Sequence, residues 1–239
     1  MERKALLNVG GRSILTSTIE TLRSIDQINR IVVVGSDQIL DNARAIGIDG
    51  YVSPGKSAPD NILRGFQWLQ QQSERPTNRV LVVTADMPFL TSSSLMAFLD
   101  SCPDDADLAL PIIKKEDFNR EYPEYEAIYV RLKDGEITPG CAYLLRSDLI
   151  PALHQRLESL FSARKSQIRS AIIAGPEIAL RFITRNLAVS HIVHRVESLL
   201  NCRAFPVLGS APELAFDIDN QSDYEYACRL VQYPPGEAI

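Results

Sequence analysis

The chain has 239 residues, 45% of them hydrophobic and 23% charged, enough for one sizeable core with at most a small appended lobe. Its net charge of -5 and pI near 5.3 argue against general affinity for nucleic acid or an anionic membrane. No apolar run approaches the roughly 18 residues of a membrane span, the opening Met-Glu-Arg-Lys lacks a signal peptide's apolar stretch, and the four cysteines form no Cys-x-x-Cys pair, so a cytoplasmic protein with reduced thiols is expected.

Near the start, Lys4 precedes a short apolar segment, a Gly10-Gly11 turn and a helix with Ile14, Leu15, Thr18, Ile19 and Leu22 at helical spacing. The glycines match neither a Walker A loop nor Gly-x-Gly-x-x-Gly, so a plain turn is the simpler reading. Ile31 to Val34 reads as a buried strand ending in the turn Gly35-Ser36-Asp37, and a helix follows to about Ile46. The polar, proline-bearing loop Ser53 to Pro59 leads into a helix over Asp60 to Gln72, and that loop is rigid enough to lie over a ligand.

Val80 to Val83 is an unbroken apolar run, as in a parallel strand covered by helices on both faces. Asp86 lies just past its carboxyl end, where ligands bind in open α/β sheets. Pro88 fixes a backbone torsion beside it, and Thr91 caps a helix turning Leu95, Met96, Phe98 and Leu99 inward. Asp86 is either a stiffly held metal ligand or an ordinary turn residue.

Leu108 to Ile113 and Ala127 to Leu132 look like further strands, with the charged segment Lys114 to Glu126 between them and a turn at Lys133 to Glu136. Helices are predicted over Ser147 to Phe161, with Ile150, Leu153, Leu157 and Leu160 on one stripe, and over Ala188 to Leu200. His191, His194 and Glu197 follow at i, i+3 and i+6 on the latter, but the last step drifts off the face and no fourth zinc ligand is evident. In Phe216-Asp217-Ile218-Asp219 the alternation sends both acids to one face of a strand. They form a magnesium site if that strand ends near Asp86, and otherwise are solvated acids before a capped helix. The last helix turns Tyr224, Ala227, Cys228 and Val231 inward.

Three separate segments resemble the MobA-like nucleotidyltransferases. Lys4-Ala-Leu-Leu with Val9-Gly-Gly-Arg-Ser-Ile-Leu15 is similar to the family's Lys-x-Leu-x-x-[Val/Ile]-x-Gly-x-Pro-[Leu/Met]-[Leu/Ile], with Ser13 in place of proline. Asp86-Met-Pro-Phe-Leu90 resembles its metal motif, and Asp217-Ile-Asp-Asn-Gln-Ser-Asp-Tyr224 its closing Asp-Ile-Asp-Thr-Pro-Glu-Asp-[Leu/Tyr]. The resemblance implies a Rossmann-like three-layer α/β/α fold with a mainly parallel sheet. It also implies one domain over 1–239, with a nucleotide-binding half (1–112) and an acceptor-binding half (113–239). The activity it implies is Mg2+-dependent transfer of a nucleoside monophosphate from a nucleoside triphosphate to a phosphorylated small-molecule acceptor. Asp86 and Asp219, with Asp217 beside them, would hold Mg2+; Lys4 would stabilise the transition state; and Gly55, Ser57 and Asn61 would contact base or ribose.

Two departures stand beside the resemblance. Family members carry a hydrophobic strand and a glycine-rich Leu-Ala-Gly-Gly-x-Ser-x-Arg-Met loop ahead of the lysine, and this sequence has neither. A start assigned too late, a relative that binds without turnover, and a gap filled by another segment or subunit are three expectations that follow. Thr138-Pro-Gly-Cys141 stands where relatives often carry a Gly-Gly-Asn acceptor contact. A metal-free interaction domain is the further alternative, and it requires Asp86 and Asp219 to lie far apart.

Overall fold

A computed structural model describes residues 4–72, 78–163 and 167–232. After a 3-10 turn at Lys4–Leu6, β1 (Asn8–Val9) and β2 (Arg12–Ser13) form a hairpin across Gly10 and Gly11, both at positive φ, so the glycine pair makes a plain turn. Ser13, where the family has proline, caps α1 (Ile14–Arg23) by accepting the Thr16 N–H at 3.1 Å. Then come β3 (Val32–Val34), α2 (Asp37–Ile46), β4 (Gly50–Val52), α3 (Ala58–Gln72) and β5 (Arg79–Val83). Next are α4 (Ser92–Asp100), β6 (Leu108–Lys114), α5 (Lys115–Glu121), β7 (Val130–Leu132), β8 (Gly135–Pro139) and β9 (Ala142–Arg146). The chain continues through α6 (Ile150–Ala163), α7 (Gln167–Ile183), α8 (Val189–Leu200), β10 (Ala204–Leu208) and α9 (Gln221–Gln232).

The main sheet is six-stranded, ordered β5-β9-β6-β8-β7, with β10 beside β6. Only β10 runs parallel to its neighbour; the other pairings are antiparallel, which corrects the expectation of a mainly parallel sheet. The cause is local. Two residues join β7 to β8, a link too short for the crossover that a parallel pair needs, and two more carry β8 on into β9 in the same direction, so that both lie antiparallel to β6. The parallel pair β3 and β4 stands as a sheet of its own.

Burial also departs from expectation. Val32 to Val34 and Leu81 to Val83 are half-buried, although their composition predicts strands covered on both faces. On α4, Leu95 and Phe98 are buried as predicted while Met96 is exposed. Phe216 to Asp219 keeps the predicted alternation, with Phe216 and Ile218 buried, but forms no ladder. On α9 Ala227 is buried as predicted and Tyr224 and Cys228 pack half-buried against the same cluster, Asp223 and Tyr226 are buried besides, and Val231 is exposed. Of the two expected strands after position 107, the second shortens to β7, and the charged segment holds the short helix α5. Ile150, Leu153 and Leu157 on α6 join Phe66, Leu69 and Val80 in one core cluster. The predicted inward position of Leu160 lies outside the described side chains.

Candidate active site

The chain reaches Asp86 from the carboxyl end of β5, where the Thr84 N–H donates to the Cys141 carbonyl at 3.2 Å and prolongs the β5–β9 edge. Met87 and Leu90 are buried on either side of Pro88, and Thr91 begins α4 with a reciprocal capping box shared with Ser94. Asp86 is therefore anchored in front and behind. The segment bearing Asp217 and Asp219 docks against it, because the Ile218 N–H donates to the Asp86 carbonyl at 3.0 Å. Phe216 drives into an aromatic cluster with Phe89 at 4.9 Å and Tyr125 at 4.6 Å between ring centroids. Two buried apolar residues thus fix the acids that alternate with them.

Lys4 closes the arrangement. Its Nζ lies 2.6 Å from Asp219 Oδ1 and 3.9 Å from Asp86 Oδ2, and the lysine side chain is only 16% exposed. Ala5, buried against Leu15 and Ile19, holds the turn that carries it. Residues 215 positions apart meet here, which rules against the metal-free arrangement in which Asp86 and Asp219 lie far apart. Asp219 is 73% exposed, so its pairing with Lys4 contributes little to stability and is better understood as positioning.

Charge crowding is visible in Asp217. Burial, followed by the neighbouring carboxylates of Asp219 and Asp86, pushes its pKa up to about 6, with Lys4 opposing. Cys141, half-buried beside the same acids, has its thiol pushed up to about 12 by desolvation first and by those charges second. Burial likewise raises the Tyr125 hydroxyl, which sits 3.5 Å from the Asp217 carbonyl oxygen. Sequence reasoning missed Cys141 and Tyr125 as neighbours of the acids; the only signal was the altered Thr138-Pro-Gly-Cys141 segment. It also missed buried Asp223, whose Oδ2 accepts the N–H groups of Asp219 (2.7 Å) and Asn220 (2.9 Å) and fixes the last acid from behind.

The donor set suits a hard cation. Asp86 Oδ1 is buried and has no hydrogen-bond partner among the described residues, a costly state for a carboxylate oxygen unless a cation meets it. Among the described residues no group of three or more His, Cys, Asp or Glu is placed to hold a metal, which disfavours zinc but not magnesium, for which one or two carboxylates suffice. His191 and Glu197 are engaged structurally: His191 Nδ1 accepts the Ala188 N–H at 3.1 Å and Glu197 the Ala204 N–H at 3.1 Å.

Gly55, Ser57 and Asn61 form a separate group with hydrogen bonds of its own. The Gly55 N–H donates to Asn61 Oδ1 at 2.6 Å, Ser57 Oγ accepts the Asp60 N–H at 3.1 Å, and the Ser57 hydroxyl donates to Glu158 on α6. A Cβ at position 55 would meet the Asp60 carboxylate, so a larger residue there would displace that side chain from the Lys56 N–H it accepts.

Comparison with known proteins extends these findings. The family model of the MobA-like NTP transferase domain matches residues 1–174. A hypothetical transferase from Thermus thermophilus superposes with a TM-score of 0.80 at 24% identity, over 92% of this chain and 90% of that one. The 4-diphosphocytidyl-2C-methyl-D-erythritol synthase of Anaerococcus prevotii DSM 20548 superposes with a TM-score of 0.61 at 15% identity, over 97% and 91%. At these identities the likenesses show the fold. No curated protein matches. No described helix is long and apolar enough to cross a membrane.

Proposed function

Because the chain belongs to the MobA-like NTP transferase domain family, we propose that it moves a nucleoside monophosphate from a nucleoside triphosphate to a phosphorylated small-molecule acceptor, releasing pyrophosphate. The observation that carries this is Lys4, within ion-pair reach of both Asp86 and Asp219. An acceptor phosphate oxygen attacks the α-phosphorus in line, and the bond to pyrophosphate breaks as the new one forms. The acceptor is already anionic, so no general base is needed. Asp86 and Asp219, with Asp217 beside them, would hold magnesium, which would supply positive charge to offset that of the phosphates. Lys4 stabilises the negative charge that builds on the leaving phosphates. Residues 1–112 bind nucleotide, with Gly55, Ser57 and Asn61 toward base or ribose, and 113–239 bind the acceptor. The acidic chain acts in the cytoplasm, without a nucleic-acid or membrane partner.

The alternative is a protein of the same fold that binds nucleotide without turnover, with Lys4 held in its ion pair to Asp219. One panel separates the two. The chain, Asp86→Ala and Lys4→Met are heated with ATP, GTP, CTP or UTP, with and without magnesium, and pyrophosphate release is followed. A nucleotide at about 100 times its Kd adds roughly 2.7 kcal/mol to the native chain. That gain should depend on magnesium and vanish in Asp86→Ala. Turnover falling by roughly 10²–10³ in Lys4→Met supports catalysis. Stabilisation without any pyrophosphate selects the binding protein, and no stabilisation by any nucleotide ends both readings.

A further inference from the structure

Lys4 is more enclosed than the carboxylates it meets. Its side chain is 16% exposed, against 24% for Asp86 and 73% for Asp219. An ammonium group withdrawn from water needs anionic partners, and these two acids supply them. The contacts are uneven. Asp219 Oδ1 lies at hydrogen-bond distance, 2.6 Å, whereas Asp86 Oδ2 at 3.9 Å is within ion-pair reach only. Asp86 Oδ1 is buried without a hydrogen-bond partner among the described residues. A single ammonium thus stands among the carboxylates of Asp86, Asp217 and Asp219 and leaves part of their charge unmatched.

The space between Asp86 and Asp219 is contested as well. A magnesium ion binds a carboxylate oxygen at about 2.1 Å, so one shared by these acids would enter the region that the ammonium holds. Two cations so close repel each other strongly in a partly enclosed site. What can move is the lysine side chain. The turn that carries it is fixed: the Leu7 N–H donates to the Lys4 carbonyl at 3.0 Å, Ala5 is buried, and the Tyr224 hydroxyl on α9 donates to the Asn8 carbonyl at 3.0 Å. Asp219 is fixed through its own backbone, by the bond from its N–H to Asp223 Oδ2 at 2.7 Å. Between these anchors the flexible lysine stem can withdraw its ammonium without any change of fold.

We propose that Lys4 is an exchangeable counter-ion: its ammonium and a divalent cation compete for Asp86 and Asp219, and the cation is admitted when a triphosphate takes the ammonium over. Resting on the assignment of magnesium to these acids, the exchange adds an order of loading. The cation enters together with the triphosphate, and the acids alone hold it poorly. A triphosphate favours the exchange twice, since its oxygens complete the coordination of the cation and its charge offers the ammonium a second partner.

Manganese(II) binding, followed by the spin-resonance signal of the free ion, tests the competition without turnover. The full chain is compared with Lys4→Met, Lys4→Gln, Lys4→Arg, and Lys4→Met combined with Asp86→Ala. Both neutral variants should bind Mn2+ at least about tenfold more tightly than the native chain, Lys4→Arg should bind it as weakly as the native chain, and the Asp86→Ala change should abolish the gain. Calorimetry with the preformed complex of Mn2+ and inorganic tripolyphosphate tests the order of loading. The native chain should bind that complex at least about tenfold more tightly than Mn2+ alone, and in Lys4→Met this advantage should shrink by about the same factor. Equal Mn2+ affinity in the native chain and both neutral variants overturns the exchange; if Asp86→Ala still weakens that binding, the assignment of magnesium survives. Mn2+ binding that Asp86→Ala does not weaken overturns the exchange and the assignment together. A native chain that binds the tripolyphosphate complex no more tightly than Mn2+ also overturns the exchange.

Discussion

β6 and β5 are both short apolar strands of one sheet, yet they end up in different environments. β6 is bonded along one edge to β10 and along the other to β9 and then β8, and Ala109, Ile112 and Ile113 are buried. Among the described residues β5 is bonded only to β9, and Leu81 to Val83 stay half-buried. Apolar composition is nearly the same in the two strands, so the difference lies in which edges are occupied. A strand's burial is a property of its neighbours as much as of its residues.

Substitution at one position in each strand should expose that contrast, and here the largest effect is expected. Ile113→Ala opens a cavity in a fully enclosed site and should cost roughly 2–5 kcal/mol, whereas Val82→Ala, at a half-buried position, should cost about 1 kcal/mol or less. Urea midpoints of the two variants measure the gap. Comparable losses would mean that β5 is as well enclosed as β6, and the contrast would break.

The same contrast explains what the sequence made legible. Features fixed by neighbours a few residues away were readable: the helical stripe of α1, the Thr91 cap, the stiff Asp86-Met-Pro turn, and the alternation that buries Phe216 and Ile218. Features fixed by distant segments were not. The half-burial of Val32 to Val34 depends on which distant segments pack against β3, and the antiparallel order of the sheet on β6 taking β8 and β9 along one edge. The burial of Tyr226 on α9 depends on the aromatic cluster, where its ring lies 5.3 Å from Tyr125. At the site, the separate acid motifs were readable as candidates, but their meeting through the Ile218 N–H, the support from Asp223 and the nearness of Cys141 belong to the tertiary structure.

A smaller effect, expected from Asp217, contrasts the crowded acid site with the rest of the molecule. Its carboxyl is raised to about 6, so the folded chain keeps a proton that the unfolded chain has lost. The stabilisation this gives is complete below the ordinary carboxylate value near 4 and is lost as pH rises through 6. Cation binding runs the other way, because a ligating carboxylate must be ionised. Tm without magnesium should therefore fall between pH 4 and 7, while magnesium affinity, followed by titration, should rise about tenfold from pH 5 to pH 7. Asp217→Asn should flatten both profiles. If both slopes survive in Asp217→Asn, the titrating group is another one.

The smallest effect compares two helix starts. Thr91 accepts the Ser94 N–H at 3.1 Å and donates to Ser94 Oγ at 3.0 Å, whereas Ser36, at the start of α2, makes no side-chain cap bond. Thr91→Ala should cost about 1 kcal/mol and Ser36→Ala close to nothing, read from urea unfolding. The two caps also differ in what they precede. Thr91 ends the five-residue link from Asp86, held by buried Met87 and Leu90, so losing this cap loosens the carboxylate's own tether. Thr91→Ser restores the hydroxyl and should recover both stability and the magnesium-dependent nucleotide response. A Thr91→Ala chain that loses the stability but keeps the full nucleotide response would show that Met87 and Leu90 hold Asp86 without help from the helix.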